Sequence, residues 1–179
     1  FFNDTATTEI YTSLFVGSSD VYKRQVRVEG HVLHYELVRP EATNTEDFPI
    51  FANEEKETPE RRSRYELHCP YTILLRLGWG GEKGMVYFFV SQPIAHDACR
   101  GYCIVTRNYD LDEPERLIQE FENTIFSQDK RVVLSQRPEM VPFDLADELH
   151  LNFDAVAVNY RRTMQQEELS YYPAPTERS

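Results

Sequence analysis

The chain has 179 residues, a formal net charge of −11, and 41% hydrophobic and 13% aromatic residues, enough apolar material for a core. Acidity of this strength argues against a nucleic-acid partner, and no apolar run approaches the roughly 20 residues that a membrane span needs, so a soluble cytoplasmic protein with no membrane partner is expected. Cys69, Cys99 and Cys103 are odd in number and lack CxxC spacing, which offers neither a disulfide framework nor a zinc site and leaves free thiols as the expectation.

The first segment does not read as native protein. Asn3–Thr12, NDTATTEIYT, resembles a translated sequencing-library adapter, and Asp20–Gln25, DVYKRQ, resembles the translated end of a transposase adapter. Residues 1–25 are therefore set aside as disordered and foreign to the fold, and the reading frame is expected to be truncated ahead of Val26. That segment holds Asp4, Glu9, Asp20, Lys23 and Arg24, so 27 acidic and 17 basic side chains remain, a net −10 over 154 residues. The remainder is the size of one domain, expected over 26–170, with a disordered tail over 171–179.

Val26–Val38 alternates between polar and apolar residues and predicts one or two strands turning at Gly30. His31 and His34 lie here; HxxH spacing brings side chains together on a helix, but on a strand residues three apart face opposite ways, so a ligand pair is not favoured. Pro40–Arg64, rich in Glu, Thr, Asn and Pro, predicts a long surface loop. Tyr65–Gly78, broken at Pro70, then Met85–Val90 and Tyr102–Thr106 predict further strands, with GWGGEKG as a hairpin turn. Short strands joined by tight turns make an antiparallel sheet. His96 and Asp97 sit in the predicted loop Gln92–Arg100, where nothing but adjacency pairs them.

After Arg107 the apolar period changes from 2 to 3.6. Pro114–Gln136 predicts a long amphipathic helix, capped by Asp112 with Glu115 and stopped by Arg137-Pro138. Leu117, Ile118, Phe121, Ile125, Phe126, Val132 and Val133 share one arc of it, and Asp129 falls inside that arc. The residues three and four positions from Asp129 are Ile125, Phe126, Val132 and Val133, none of which can pair with a carboxylate. An unpaired buried carboxylate costs several kcal/mol unless it is protonated, hydrogen-bonded from elsewhere or bound to a cation. After a Pro-containing connector, Asp154 is expected to cap a second helix, AVAVNYRRTMQQEE, lying outside the sheet, with Arg161-Arg162 as a solvated face or partner contact. The fold class expected is α+β, a curved antiparallel sheet wrapped around the long helix in the helix-grip (START/Bet v1-like) manner.

FSQDKRVVLSQRPEMVPFDLADELH followed by FDAVAVNYRR, and the preceding VTRNYDLDEPE, resemble the C-terminal catalytic domain of Rieske-type aromatic ring-hydroxylating oxygenases, the large terminal subunit. The resemblance covers most of Tyr65–Thr163 and implies that Asp129 is the carboxylate of a 2-His-1-carboxylate set holding mononuclear non-haem Fe(II). It implies a hydrophobic or aromatic small-molecule substrate, dioxygen, a ferredoxin or flavin reductase as electron donor, and a homotrimer when intact. The reaction implied is hydroxylation or demethylation, and Phe121, Ile125 and Val132 are the expected pocket lining. The CxH and CxxH pairs of a Rieske [2Fe–2S] cluster do not occur, and His31 and His34 do not match the spacing of the family's iron histidines. This fragment alone is therefore expected to be inactive and to bind neither cluster nor iron tightly. The alternative reading, from another class, is a non-enzymatic helix-grip protein that binds a hydrophobic ligand, with Asp129 as a polar anchor.

Overall fold

The computed structural model describes residues 26–40, 60–79, 82–95, 98–135, 137, 141–142, 144–150 and 154–169. Six strands, β1 (Arg27–Glu29), β2 (Val32–Pro40), β3 (Glu60–His68), β4 (Thr72–Trp79), β5 (Gly84–Ala95) and β6 (Ala98–Arg107), are followed by helices α1 (Glu115–Val133) and α2 (Ala155–Gln166). The strands pair antiparallel in chain order, so every connection is to a neighbour. The result is an open six-stranded antiparallel sheet with two helices, an α+β fold. Gly30, at φ +55°, turns β1 into β2 in a conformation that costs glycine nothing.

From β2 to β6, up to the register shift near Ala95, odd-numbered residues share one face: Tyr35 opposes Tyr65, Tyr65 opposes Leu75, Leu75 opposes Tyr87, and Tyr87 opposes Val105; in β1 the parity reverses, with Val28 opposing Leu33. Both helices lie on that face. From α2, Val156, Tyr160 and Met164 pack with Leu33, Tyr35, Tyr65, Leu67 and Ile73, and the Tyr160 hydroxyl donates to the Pro70 carbonyl at 2.9 Å. From α1, Phe126 makes a T-shaped contact with Phe89 at 5.8 Å between ring centroids, and Glu122 reaches Tyr87. The expectation of a second helix outside the sheet is thus corrected. The apolar face of α2 completes the cluster over β2–β4, which a helix on the charged outer face could not do.

Other expectations are corrected in detail. β3 begins at Glu60, so the predicted loop Pro40–Arg64 gives up its last five residues to the sheet. Arg62 and Arg64 point outward and both pair with Glu36 on β2, whereas Arg61, partly buried, and Ser63, fully buried, lie on the inner face. β5 and β6 likewise extend to Ala95 and from Ala98, with a register shift between Pro93 and Ala95, leaving little of the predicted loop Gln92–Arg100; His96 and Asp97 lie outside the described residues.

The capping box does not form. Pro114 occupies the N-cap position with no side-chain cap bond, which places Asp112 two residues too early to serve. Helix α1 ends at Val133 rather than Gln136, with the Leu134 carbonyl taken by Arg137 at 3.2 Å. Asp154 does stand at the N-cap of α2, yet its side chain makes no cap bond. Arg161, expected on a solvated face, is 6% exposed and ion-paired to Glu148 at 2.6 Å, whereas Arg162 is exposed. Residues 1–25 and 171–179 lie outside the described residues.

Candidate active site

Helix α1 presents to the sheet a stripe formed by Ile118, Glu122, Ile125, Phe126, Asp129 and Val133, of which Glu122 and Val133 are fully buried. Seven residues advance a helix by two turns with a drift of about 20°, so Glu122 and Asp129 lie almost in line, about 10.5 Å apart along the axis. Two carboxylates therefore face the sheet where periodicity alone admits only apolar side chains.

Asp129 is partly buried, and burial raises its pKa above the ordinary Asp value. Among the described residues no Lys or Arg pairs with it. Of the expected pocket lining, Val132 is 53% exposed and lies off the stripe. Phe121 and Ile125 are partly buried, Phe121 at the margin of the stripe and Ile125 within it.

Glu122 is the residue that sequence reasoning missed. It is 7% exposed, and its Oε1 accepts a hydrogen bond from the Tyr87 hydroxyl at 2.5 Å. Burial raises its pKa and the Tyr87 bond partly offsets that rise. Tyr87 is pushed up in turn, by burial first and then by the adjacent Glu122 carboxylate. Tyr109, buried against Trp79 in an edge-on contact at 5.8 Å, has its phenol raised to about 12, chiefly by burial. The signal was present in the sequence: three of the four residues at three and four positions from Glu122 are Ile118, Ile125 and Phe126, the same apolar surround that marks Asp129.

Beneath this stripe the rings of Tyr87 and Phe89 lie nearly parallel, 8° apart in plane with centroids at 5.6 Å, and Phe126 stands edge-on to Phe89 at 85°. A stacked aromatic pair thus lies under the Glu122 and Phe126 positions of the helix. His31 and His34 fall apart from it: His31 is in the β1–β2 turn and His34 pairs with Glu29 at 3.5 Å on the opposite face. Among the described residues there is no group of three or more His, Cys, Asp or Glu side chains able to hold a metal. Asp129 can supply one ligand to a cation, and its desolvated carboxylate, with no basic side chain ion-paired to it among the described residues, suits that role. No helix among the described residues is long and apolar enough to cross a membrane.

The chain matches the family described as "Vanillate O-demethylase oxygenase C-terminal domain" over residues 13–168, a match that begins inside the segment set aside as adapter-like. It is 28% identical over 103 residues to methylxanthine N1-demethylase NdmA of Pseudomonas putida, covering 57% of this chain and 28% of that protein. In fold it is similar to NdmA of Pseudomonas putida CBB5 with caffeine, at a TM-score of 0.70 and 19% identity, over 93% of this chain and 50% of that one. A dicamba monooxygenase with non-heme iron and dicamba is similar at a TM-score of 0.61 and 15% identity, over 93% of this chain and 54% of that one. The chain spans about a quarter of the curated relative and about half of the solved ones. Since the family match covers most of the chain, the protein belongs to the vanillate O-demethylase oxygenase C-terminal domain family and is a C-terminal catalytic domain of a Rieske oxygenase.

Proposed function

We propose that this domain supplies the oxygen-activating centre of a Rieske non-haem iron enzyme that demethylates or hydroxylates an aromatic or similarly hydrophobic small molecule with dioxygen. The observation that carries the reading is Asp129: a partly buried carboxylate among apolar side chains, its pKa raised by burial and no basic side chain paired with it. In this reading Asp129 is the carboxylate ligand of mononuclear Fe(II), with two histidines supplied from outside the described residues. The Rieske [2Fe–2S] cluster is carried by parts of the protein outside this sequence, which has no CxH or CxxH pair. When bound, the iron supplies dioxygen activation. Asp129 holds it, while Ile125, Phe126, Val133 and Phe89 exclude water from its surroundings and offer an apolar, aromatic wall to the substrate. Electrons come from a ferredoxin or flavin reductase, the compartment is the cytoplasm, and the intact enzyme is a homotrimer.

The test is Asp129→Ala in the full-length protein. Mononuclear iron measured by metal analysis should fall by the content of that site and oxygenation should stop, while the visible absorption of the cluster persists because its ligands lie elsewhere. Full iron content and turnover in Asp129→Ala would remove the basis of this reading.

A further inference from the structure

Glu122 has no role in holding a metal through Asp129, from which it is two helical turns away, yet burying it costs stability that an apolar residue would not. One of its oxygens takes the Tyr87 hydroxyl; no other hydrogen bond reaches the carboxylate among the described residues. The titratable groups that face it are Tyr87 from β5, Cys103 from β6 and Tyr109 from the β6–α1 connection, and none of them supplies a positive charge. A nine-tenths buried acceptor, fixed by a phenol and otherwise unpaired among the described residues, stands beside the stacked rings of Tyr87 and Phe89.

We infer that Glu122 is the specificity-determining residue of this site, selecting flat aromatic substrates that carry a hydrogen-bond donor, N–H or O–H, on the edge remote from the reacting group. The inference rests on the oxygenase reading of Asp129 and adds to it the polarity of the substrate. An ionised carboxylate only accepts hydrogen bonds, so it rewards a donor and penalises an acceptor at the same position. The axial spacing of about 10.5 Å between Glu122 and Asp129 suits a molecule of one or two fused rings. A planar ring packs beside the stacked Tyr87 and Phe89 rings with its edge directed at the free oxygen. Tyr87 acts through Glu122 as a positioning residue: its hydroxyl fixes the carboxylate rotamer and favours the ionised form.

Indole and benzofuran test this, because they share shape and differ in one edge atom, an N–H donor against an ether oxygen. Binding of each is measured by calorimetry to the iron-loaded full-length enzyme from pH 5 to pH 9. Indole should bind tighter by roughly tenfold to a hundredfold above the Glu122 pKa, the worth of one charge-assisted hydrogen bond, and the preference should shrink as the pH falls through it. Glu122→Leu should bind the two probes alike. Glu122→Gln should weaken the preference and remove its pH dependence. Tyr87→Phe should keep the preference but shift its midpoint to higher pH, a change that a purely structural tyrosine would not produce. Equal binding of both probes by the wild type, binding of neither, or an indole preference that survives Glu122→Leu, would each overturn the inference. Iron loss in Asp129→Ala is read separately, so equal probe binding beside a normal iron result discards Glu122 as the discriminator while leaving the oxygenase reading in place.

Discussion

At the scale of single residues, the proposed site turns on two carboxylates, Glu122 buried and Asp129 partly buried on the sheet side of α1. For both, burial holds the folded-state pKa above the ordinary value, so the folded chain binds protons that the unfolded chain releases. The stability they contribute is therefore present at pH below the usual carboxylate range and is lost as pH rises through the raised values. Glu122→Gln removes one of these titrations while keeping an oxygen for the Tyr87 hydroxyl. Urea denaturation from pH 4 to pH 8 should show a wild type that loses more stability with rising pH than the variant does, and parallel curves would show that Glu122 does not titrate at a raised pKa. The partial burial of Asp129 was legible from sequence because every neighbour three and four positions away is apolar. Glu122 was not, because counting it as polar rotated the apparent apolar arc toward Leu117 and Val132, which are 44% and 53% exposed. Placing Glu122 at the centre of the arc brings the stripe to Ile118, Ile125, Phe126, Asp129 and Val133, which the structure buries at least in part.

At the scale of elements, alternation and turn residues located every strand, while strand ends and caps escaped. Glu60–Arg64 reads as loop because four of its five residues are charged, and only pairing with Glu36 across the sheet makes the outward row favourable. Arg161 shows the same kind of limit in a helix. Its neighbour Arg162 is solvated, yet one position earlier the guanidinium turns inward to Glu148, which follows the short 3-10 turn Leu145–Asp147. That ion pair ties the connector to α2. Removing one member leaves the other charge without its partner, so Arg161→Ala should destabilise the fold by about 3 kcal/mol, whereas Arg162→Ala should stay within about 0.5 kcal/mol. Equal effects of the two substitutions in denaturant unfolding would mean that the pair holds nothing.

At the scale of the whole molecule, both described helices lie on one face of the sheet and divide it between them, and among the described residues no helix covers the other. Helix α2 closes the cluster around Leu33, Leu67 and Ile73, whereas α1 stands over Tyr87 and Phe89 and keeps its carboxylates there. The β2–β4 half with α2 is a dense apolar core, and the β5 half with α1 holds polar groups at an energetic cost. The outer face is split as well. Charges occupy β2–β4 through Glu36, Arg62, Arg64, Glu66 and Arg76, and apolar side chains such as Phe88 and Ile104 occupy β5 and β6. Leu33 and Ile104 are both aliphatic strand residues, but one is 0% and the other 59% exposed. Leu33→Ala opens a cavity in the α2 core and should cost about 3 kcal/mol, while Ile104→Ala should cost less than about 1 kcal/mol because it leaves no void. Chemical denaturation of the two variants tests the two-faced assignment directly. A large loss for Ile104→Ala would place that residue in a packed core and reverse which face of β6 is covered, and with it the side of the sheet on which Glu122 and Asp129 stand.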